Sequence, residues 1–200
     1  MTLTIFFAML SFSLSMSISP GPVNMMIISS SINNGFFKTF SFISGATIGF
    51  TLLLIFIAFG FSTIFLDYPN FLKYLGLFGA VFIIYMGYKI ASSRTNIEIK
   101  NDGKNLKFIE GFLLQCLNPK AWIASLSGVS MFSSSSDVLA SFILMYFIVC
   151  YLSLSFWGLL GQKARIFLNT NFRLKVFNII MGTVLILSAF TLIYIEFIAL

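Results

Sequence analysis

The chain has 200 residues, 58% hydrophobic and 9% charged, with a mean hydropathy of +1.00. A soluble globular domain carries roughly 25% charged residues, so this composition excludes one and predicts an all-α integral membrane protein. The net charge of +6 comes from basic residues scattered among loops, which excludes a nucleic-acid patch. With no histidine in the chain, zinc hydrolases, Ser-His triads and intramembrane metalloproteases fall away too.

At about 20 apolar residues per span, the length holds six spans in one membrane domain, residues 1–200, and no separate soluble domain. The first segment, Leu3 to Ser31, lacks Lys or Arg before Lys38 and has no small-x-small cleavage site. It therefore reads as a retained span rather than a signal peptide. Ser19-Pro20-Gly21-Pro22 splits it, because two prolines cannot sit mid-helix without removing donors and clashing with the preceding turn. Such a break must be buried in protein or line a cavity. Asn33, Asn34 and Gly35 predict a polar turn before Lys38.

The second segment runs from Thr39 to Leu66, and its Gly45 and Gly49 form a small-xxx-small packing face. Asp67 to Asn70 is a turn, and the third segment is Phe71 to Ala91. Residues 93–107 form a polar loop between a first half, 1–92, and a second half, 108–200. The fourth segment, Phe108 to Phe132, is interrupted at Asn118-Pro119-Lys120. After a serine turn, the fifth segment is Val138 to Gly161 and the sixth Val176 to Ile195, with a basic loop between them.

An N-terminus facing outward puts Lys38, Lys89, Arg94, Lys100, Lys104, Lys107, Lys163, Arg165, Arg173 and Lys175 on the cytoplasmic side. Only Lys73 stays outside, which predicts both termini outside. Pro20 and Pro119 each interrupt the first span of their half, about 100 residues apart, and Leu72-Lys73 and Leu174-Lys175 recur at a similar offset. Three spans per half place the halves upside-down, an inverted 3+3 repeat with its first and fourth helices broken at proline. Transporters built this way hold their site near the midplane between halves.

Ser and Asn are good N-caps, and proline suits the first helical position. Ser19 and Asn118 are therefore expected to cap new half-helices whose free N–H groups favour a carboxylate. The half-helices that stop there would offer carbonyls, from Met16 to Ile18 and Leu114 to Leu117, to an ammonium group. Both polarities together suit an amino acid, with Asn24 and Gln115 adding neutral hydrogen bonds. Lys120 costs about 2.5 to 3.5 kcal/mol at the centre of a span, so it has either a task or a partner among nearby carbonyls. A structural kink is the plainer reading of either break alone. Glu110 and Glu196, near span ends, read as solvated, and Tyr85 is the one tyrosine singled out for a test. Cys116 and Cys150 read as packing residues, with no disulfide framework and no metal site.

These residues resemble the lysine exporter (LysE/RhtB) family of small amino-acid exporters. The resemblance rests on the SPGP at 19–22, Gly35, Gly45 with Gly49, and Leu72-Lys73 with Gly76. It continues through Tyr85-Met86-Gly87-Tyr88-Lys89 and Phe108-x-x-Gly111 to Asn118-Pro119-Lys120. The stretch before the second break and that after Tyr85 look most like the cysteine/O-acetylserine branch. Glu110 stands where that family commonly has a basic residue. The resemblance implies an inner-membrane secondary transporter without cofactor, expelling amino acids with the proton-motive force as a homodimer among membrane lipid. It carries over Pro20, Gly21, Pro22, Asn118, Pro119 and Lys120 as site residues. Three alternatives stand beside it: a structural or assembly subunit without substrate, a divalent-metal exporter, and a thiol relay. The relay wants a cysteine beside each break, and the metal exporter wants soft or anionic ligands at the midplane; only Cys116 is near.

Overall fold

The structure is a computed structural model that describes residues 2–61, 70–92, 106–168 and 170–197. The described residues are mostly helical and contain no strand. In chain order the helices are α1 (Leu3–Ile18), α2 (Pro22–Asn34), α3 (Phe36–Phe56) and α4 (Asn70–Ala91), then α5 (Phe108–Cys116), α6 (Pro119–Phe132), α7 (Ser136–Ala164) and α8 (Asn171–Phe197). A π-helical turn, Ile57–Phe61, extends α3, and a 3-10 turn, Arg165–Phe167, follows α7. The expected turn at Asp67 to Pro69, the loop from 93 to 105 and the side chain of Glu196 lie outside the described residues.

Among the described residues, three helical stretches are long and apolar enough to cross a membrane: Phe36–Phe59, Ser136–Phe167 and Asn171–Thr191. The pair α1 and α2, bent by 59° at the SPGP, makes a fourth candidate. The apolar stretch of α4 among the described residues, Leu77–Ala91, is shorter. In lipid each helix satisfies its backbone internally, so the breaks and crossings are where sequence decides the packing.

The tightest crossings are made by glycine. A Cβ on Gly45 would lie 1.9 Å from the Phe108 carbonyl oxygen, and one on Gly49 3.0 Å from that of Phe112. α3 and α5 therefore touch backbone to backbone. At the α4–α8 crossing the contact is reciprocal: a Cβ on Gly87 would meet the Gly182 oxygen at 2.8 Å, and one on Gly182 the Gly87 oxygen at 2.4 Å. α7 runs through the middle, packed against α1, α2 and α3. Its Phe142 and Tyr146 join Phe12, Phe50 and Phe132 in an aromatic core, with Phe50 stacked on Tyr146 at 4.3 Å between centroids.

Two boundaries differ from expectation. The turn predicted over Asn33 to Gly35 is Gly35 alone, at φ 86°, where an L side chain is strained. Asn33 stays helical because its amide donates to Ser29 O at 2.8 Å and pairs both ways with Asn178 of α8, at 2.8 and 3.0 Å. The basic loop after α7 is short, since Lys163 ends α7 while Arg173 and Lys175 lie in the first turns of α8.

Glu110 corrects a third expectation. It is partly buried rather than solvated, ion-paired with Lys89 of α4 while accepting from the Lys107 amide at 2.9 Å. Neutralising it as Glu110→Gln is expected to cost about 1.5 to 3 kcal/mol, the range for a hydrogen bond to a charged group. Thermal melts of this variant, Lys89→Met and the double variant test the pairing, which would be refuted by strictly additive losses.

Candidate functional site

The two breaks come together. α1 ends at Ile18 with Ser19 as its C-cap, and α2 starts at Pro22 with Gly21 as its N-cap. The expectation that Ser19 caps α2 is therefore corrected by two residues. Pro22, not Pro20, takes the first helical position, and the Gly21 cap leaves the α2 amides without a side-chain acceptor. Ser19 instead closes α1, its hydroxyl donating to Met16 O at 3.2 Å. The second break follows expectation. Asn118 caps α6 by accepting from the Lys120 amide at 3.1 Å, and Pro119 opens the helix.

The last carbonyls of α1 do not stand open for a ligand. Met16 O takes the Ser19 hydroxyl and Ser17 O takes the Asn24 amide at 3.1 Å. Ser19 O takes Asn24 at 3.0 Å and the Lys120 ammonium at 2.8 Å, and Lys120 also reaches Ser19 Oγ at 2.7 Å. Ile18 O accepts the indole N–H of Trp157, from α7, at 3.1 Å. This corrects the expectation of exposed carbonyls: buried oxygens in a dry interior must find donors, and here the chain supplies them all.

The second break repeats one of these contacts. Trp122 Nε1 donates at 2.6 Å to the carbonyl of Cys116, the last residue of α5. Both tryptophans of the chain thus cap the final carbonyl of a half-helix that stops at a break. Sequence reasoning passed over them. The usable signal was that only two tryptophans occur, each near a break in space, but only the first of those facts is visible in one dimension.

A cavity of about 30 Å³ lies where the breaks meet. One water needs roughly 10 to 15 Å³ on the same measure, so it holds a water or two and is closed to an amino acid. Gly21, Asn24, Gln115, Asn118 and Lys120 line its polar side. Phe50, Tyr146, Cys150 and Leu154 line it too. Gln115 is buried, and its Oε1 has no hydrogen-bond partner. Lys120 is the sole charged residue among those lining the cavity.

The structure thus gathers Gly21, Asn24, Gln115, Asn118 and Lys120 around one space, with Ser19, Pro20, Pro22 and Pro119 shaping the breaks behind it. It does not bring in Tyr85, which is half-exposed on α4 beside Phe82. Cys150 enters the lining from α7, whereas Cys116 contributes its backbone. Among the described residues no group of three His, Cys, Asp or Glu is placed to hold a metal.

The profile of the LysE type translocator family matches residues 14–196. The chain belongs to this family. It is a multi-pass helical membrane protein of a translocator family. Among its relatives, the "Cysteine/O-acetylserine efflux protein" of Escherichia coli O157:H7 is 28% identical over 203 aligned positions, covering 97% of this chain and 100% of the relative. The proteins of the same name from Escherichia coli K12 and Shigella sonnei Ss046 are each 31% identical over 136 positions, covering 66% of this chain and 67% of theirs. No solved structure matches.

Proposed function

We propose that the protein exports small amino acids or their derivatives, of the cysteine or O-acetylserine kind, across the inner membrane by alternating access. The observation that carries this reading is the meeting of two broken helices at a buried polar cavity that contains one cation. The backbone N–H end of α2 suits a carboxylate, and Ser19 at the carbonyl end of α1 suits an ammonium once Lys120 withdraws from it. The cavity's small volume fits an empty carrier between openings, which must expand before it loads.

Six spans arranged as an inverted 3+3 repeat belong to the same proposal. α4 and the α5–α6 pair supply the fifth and sixth spans beyond those that length alone identifies. Exchange of the halves relates the α3–α5 packing to the α1–α7 packing, and the reciprocal Gly87–Gly182 contact sits where a two-fold axis would pass. The ten-to-one excess of bases supports both termini outside.

Counterflow into proteoliposomes preloaded with O-acetyl-L-serine or L-cysteine tests the function. Labelled substrate is expected to accumulate transiently with the reconstituted chain and not with empty vesicles. Equal uptake by both would end the exporter reading for these substrates.

A further inference from the structure

The Lys120 ammonium already occupies the place that a substrate ammonium needs. It donates to Ser19 O at 2.8 Å and Ser19 Oγ at 2.7 Å, at the carbonyl end of α1. The other donors at that end, Asn24, Trp157 and the Ser19 hydroxyl, are neutral and cannot be switched off. Lys120 alone among them releases its hold by losing a proton. A charge-assisted hydrogen bond is roughly twice as strong as a neutral one, so a substrate ammonium outcompetes a neutral amine there but not a second ammonium.

We propose that Lys120 carries the coupling proton, because its protonated side chain and the substrate's amino group compete for the same acceptors on Ser19. Resting on the exporter reading above, this deepens it by naming what exchanges for substrate. The steps balance. Facing the cytoplasm, Lys120-NH3⁺ gives its proton to water and becomes Lys120-NH2; a zwitterionic substrate then binds with its ammonium on Ser19. Facing outward, substrate leaves, Lys120-NH2 takes a proton from outside, and the ammonium closes on Ser19 for the return. One proton enters for each substrate expelled, and one positive charge moves inward per cycle.

The surroundings leave this role to Lys120. Tyr146 and Cys150, both on α7, are the other titratable groups lining the cavity. α1, α2 and α3 bring none to it, Cys116 closes α5 without lining it, and Glu110 is held by Lys89. Gln115, buried with Oε1 unpartnered, marks a polar position within the cavity that a bound group would satisfy.

The two tryptophans, one on each break, allow a test that needs no substrate. In the full chain in nanodiscs, tryptophan emission is expected to change over a single-proton transition as pH is raised from neutral. That transition is expected to vanish in Lys120→Gln and Lys120→Arg. In proteoliposomes, Lys120→Gln is expected to lose at least about tenfold of the accumulation driven by a proton gradient, and any O-acetyl-L-serine counterflow it retains is expected to be the same with and without that gradient. Lys120→Arg, permanently charged, is expected to lose both. The proposal is overturned if Lys120→Arg accumulates substrate like the wild type, as a purely structural cation would allow. It is equally overturned if Lys120→Gln keeps its proton drive or its emission transition. A wild type without counterflow sinks the exporter reading for that substrate, while the emission titration still decides the proton's carrier.

Discussion

Asn24→Asp is expected to reduce efflux by more than about a hundredfold in a protein that still folds, a loss of roughly 2.8 kcal/mol or more in transport barrier. Asn24 is buried on the first turn of α2, and its amide bridges Ser17 O and Ser19 O across the break. An aspartate is the same shape but has no donor. Its oxygen faces two carbonyl oxygens, and the Lys120 ammonium donates to the same Ser19 O that Asn24 does. In a dry interior a carboxylate and an ammonium pair strongly, so Lys120 is held on Asp and leaves the exchange. Asn24→Ala removes the same two hydrogen bonds without creating that trap and is expected to lose only about tenfold. Counterflow on size-homogeneous preparations of both variants separates the effects. Equal losses in Asp and Ala would show that the bridge, and not the trapping of Lys120, is what matters.

The sequence made the positions of the breaks legible because proline is unambiguous about where a helix cannot continue. α5 and α6 between them occupy Phe108 to Phe132, the bounds expected of the fourth segment. The register of the first cap was not legible. SPGP contains two prolines, each with an acceptable residue before it, and local rules rank Ser above Gly as a cap. The choice of Gly21 is made by tertiary contacts: Ser19 is claimed by Met16 and Lys120, partners 3 residues away and 101 residues away.

The filled carbonyls were illegible for a related reason. A helix stop seen in one dimension shows oxygens without donors, and here Lys120 and Trp122 of α6 and Trp157 of α7 join Ser19 and Asn24 in supplying them. Trp157 lies 139 residues from the carbonyl it caps. Glu110 looked solvated because charge at a span end usually is, yet Lys89 on the neighbouring α4 meets it. Tyr85 shows the opposite failure: its family pattern drew attention, but its place on α4 turns it outward from the bundle core. Local chemistry located the breaks, and long-range pairing decided which of their atoms remain available.

Gly45→Val is expected to prevent assembly of the bundle, whereas Gly35→Ala is expected to cost only about 1 to 3 kcal/mol. The two glycines are needed for different reasons. Gly35 takes φ 86°, but a Cβ there would touch nothing within 4 Å, so Ala is strained in its backbone and nowhere else. Gly45 is an ordinary helical residue, yet its Cβ would lie 1.9 Å from the Phe108 oxygen and 2.8 Å from the carbonyl carbon. Backbone cannot swing aside as a side chain can, so α3 and α5 must separate by an ångström or more. The separation also breaks the match at Gly111, where a Cβ would already sit 2.2 Å from the Phe42 oxygen. Membrane helices associate through such close packing rather than through water exclusion, so nothing restores what is lost. α5 leads directly to Asn118 and Lys120, and its displacement carries the second break away from the first. Size-exclusion profiles and melting in detergent check this. A Gly45→Val protein that elutes and melts like the wild type would mean that the α3–α5 crossing does not hold the two breaks together.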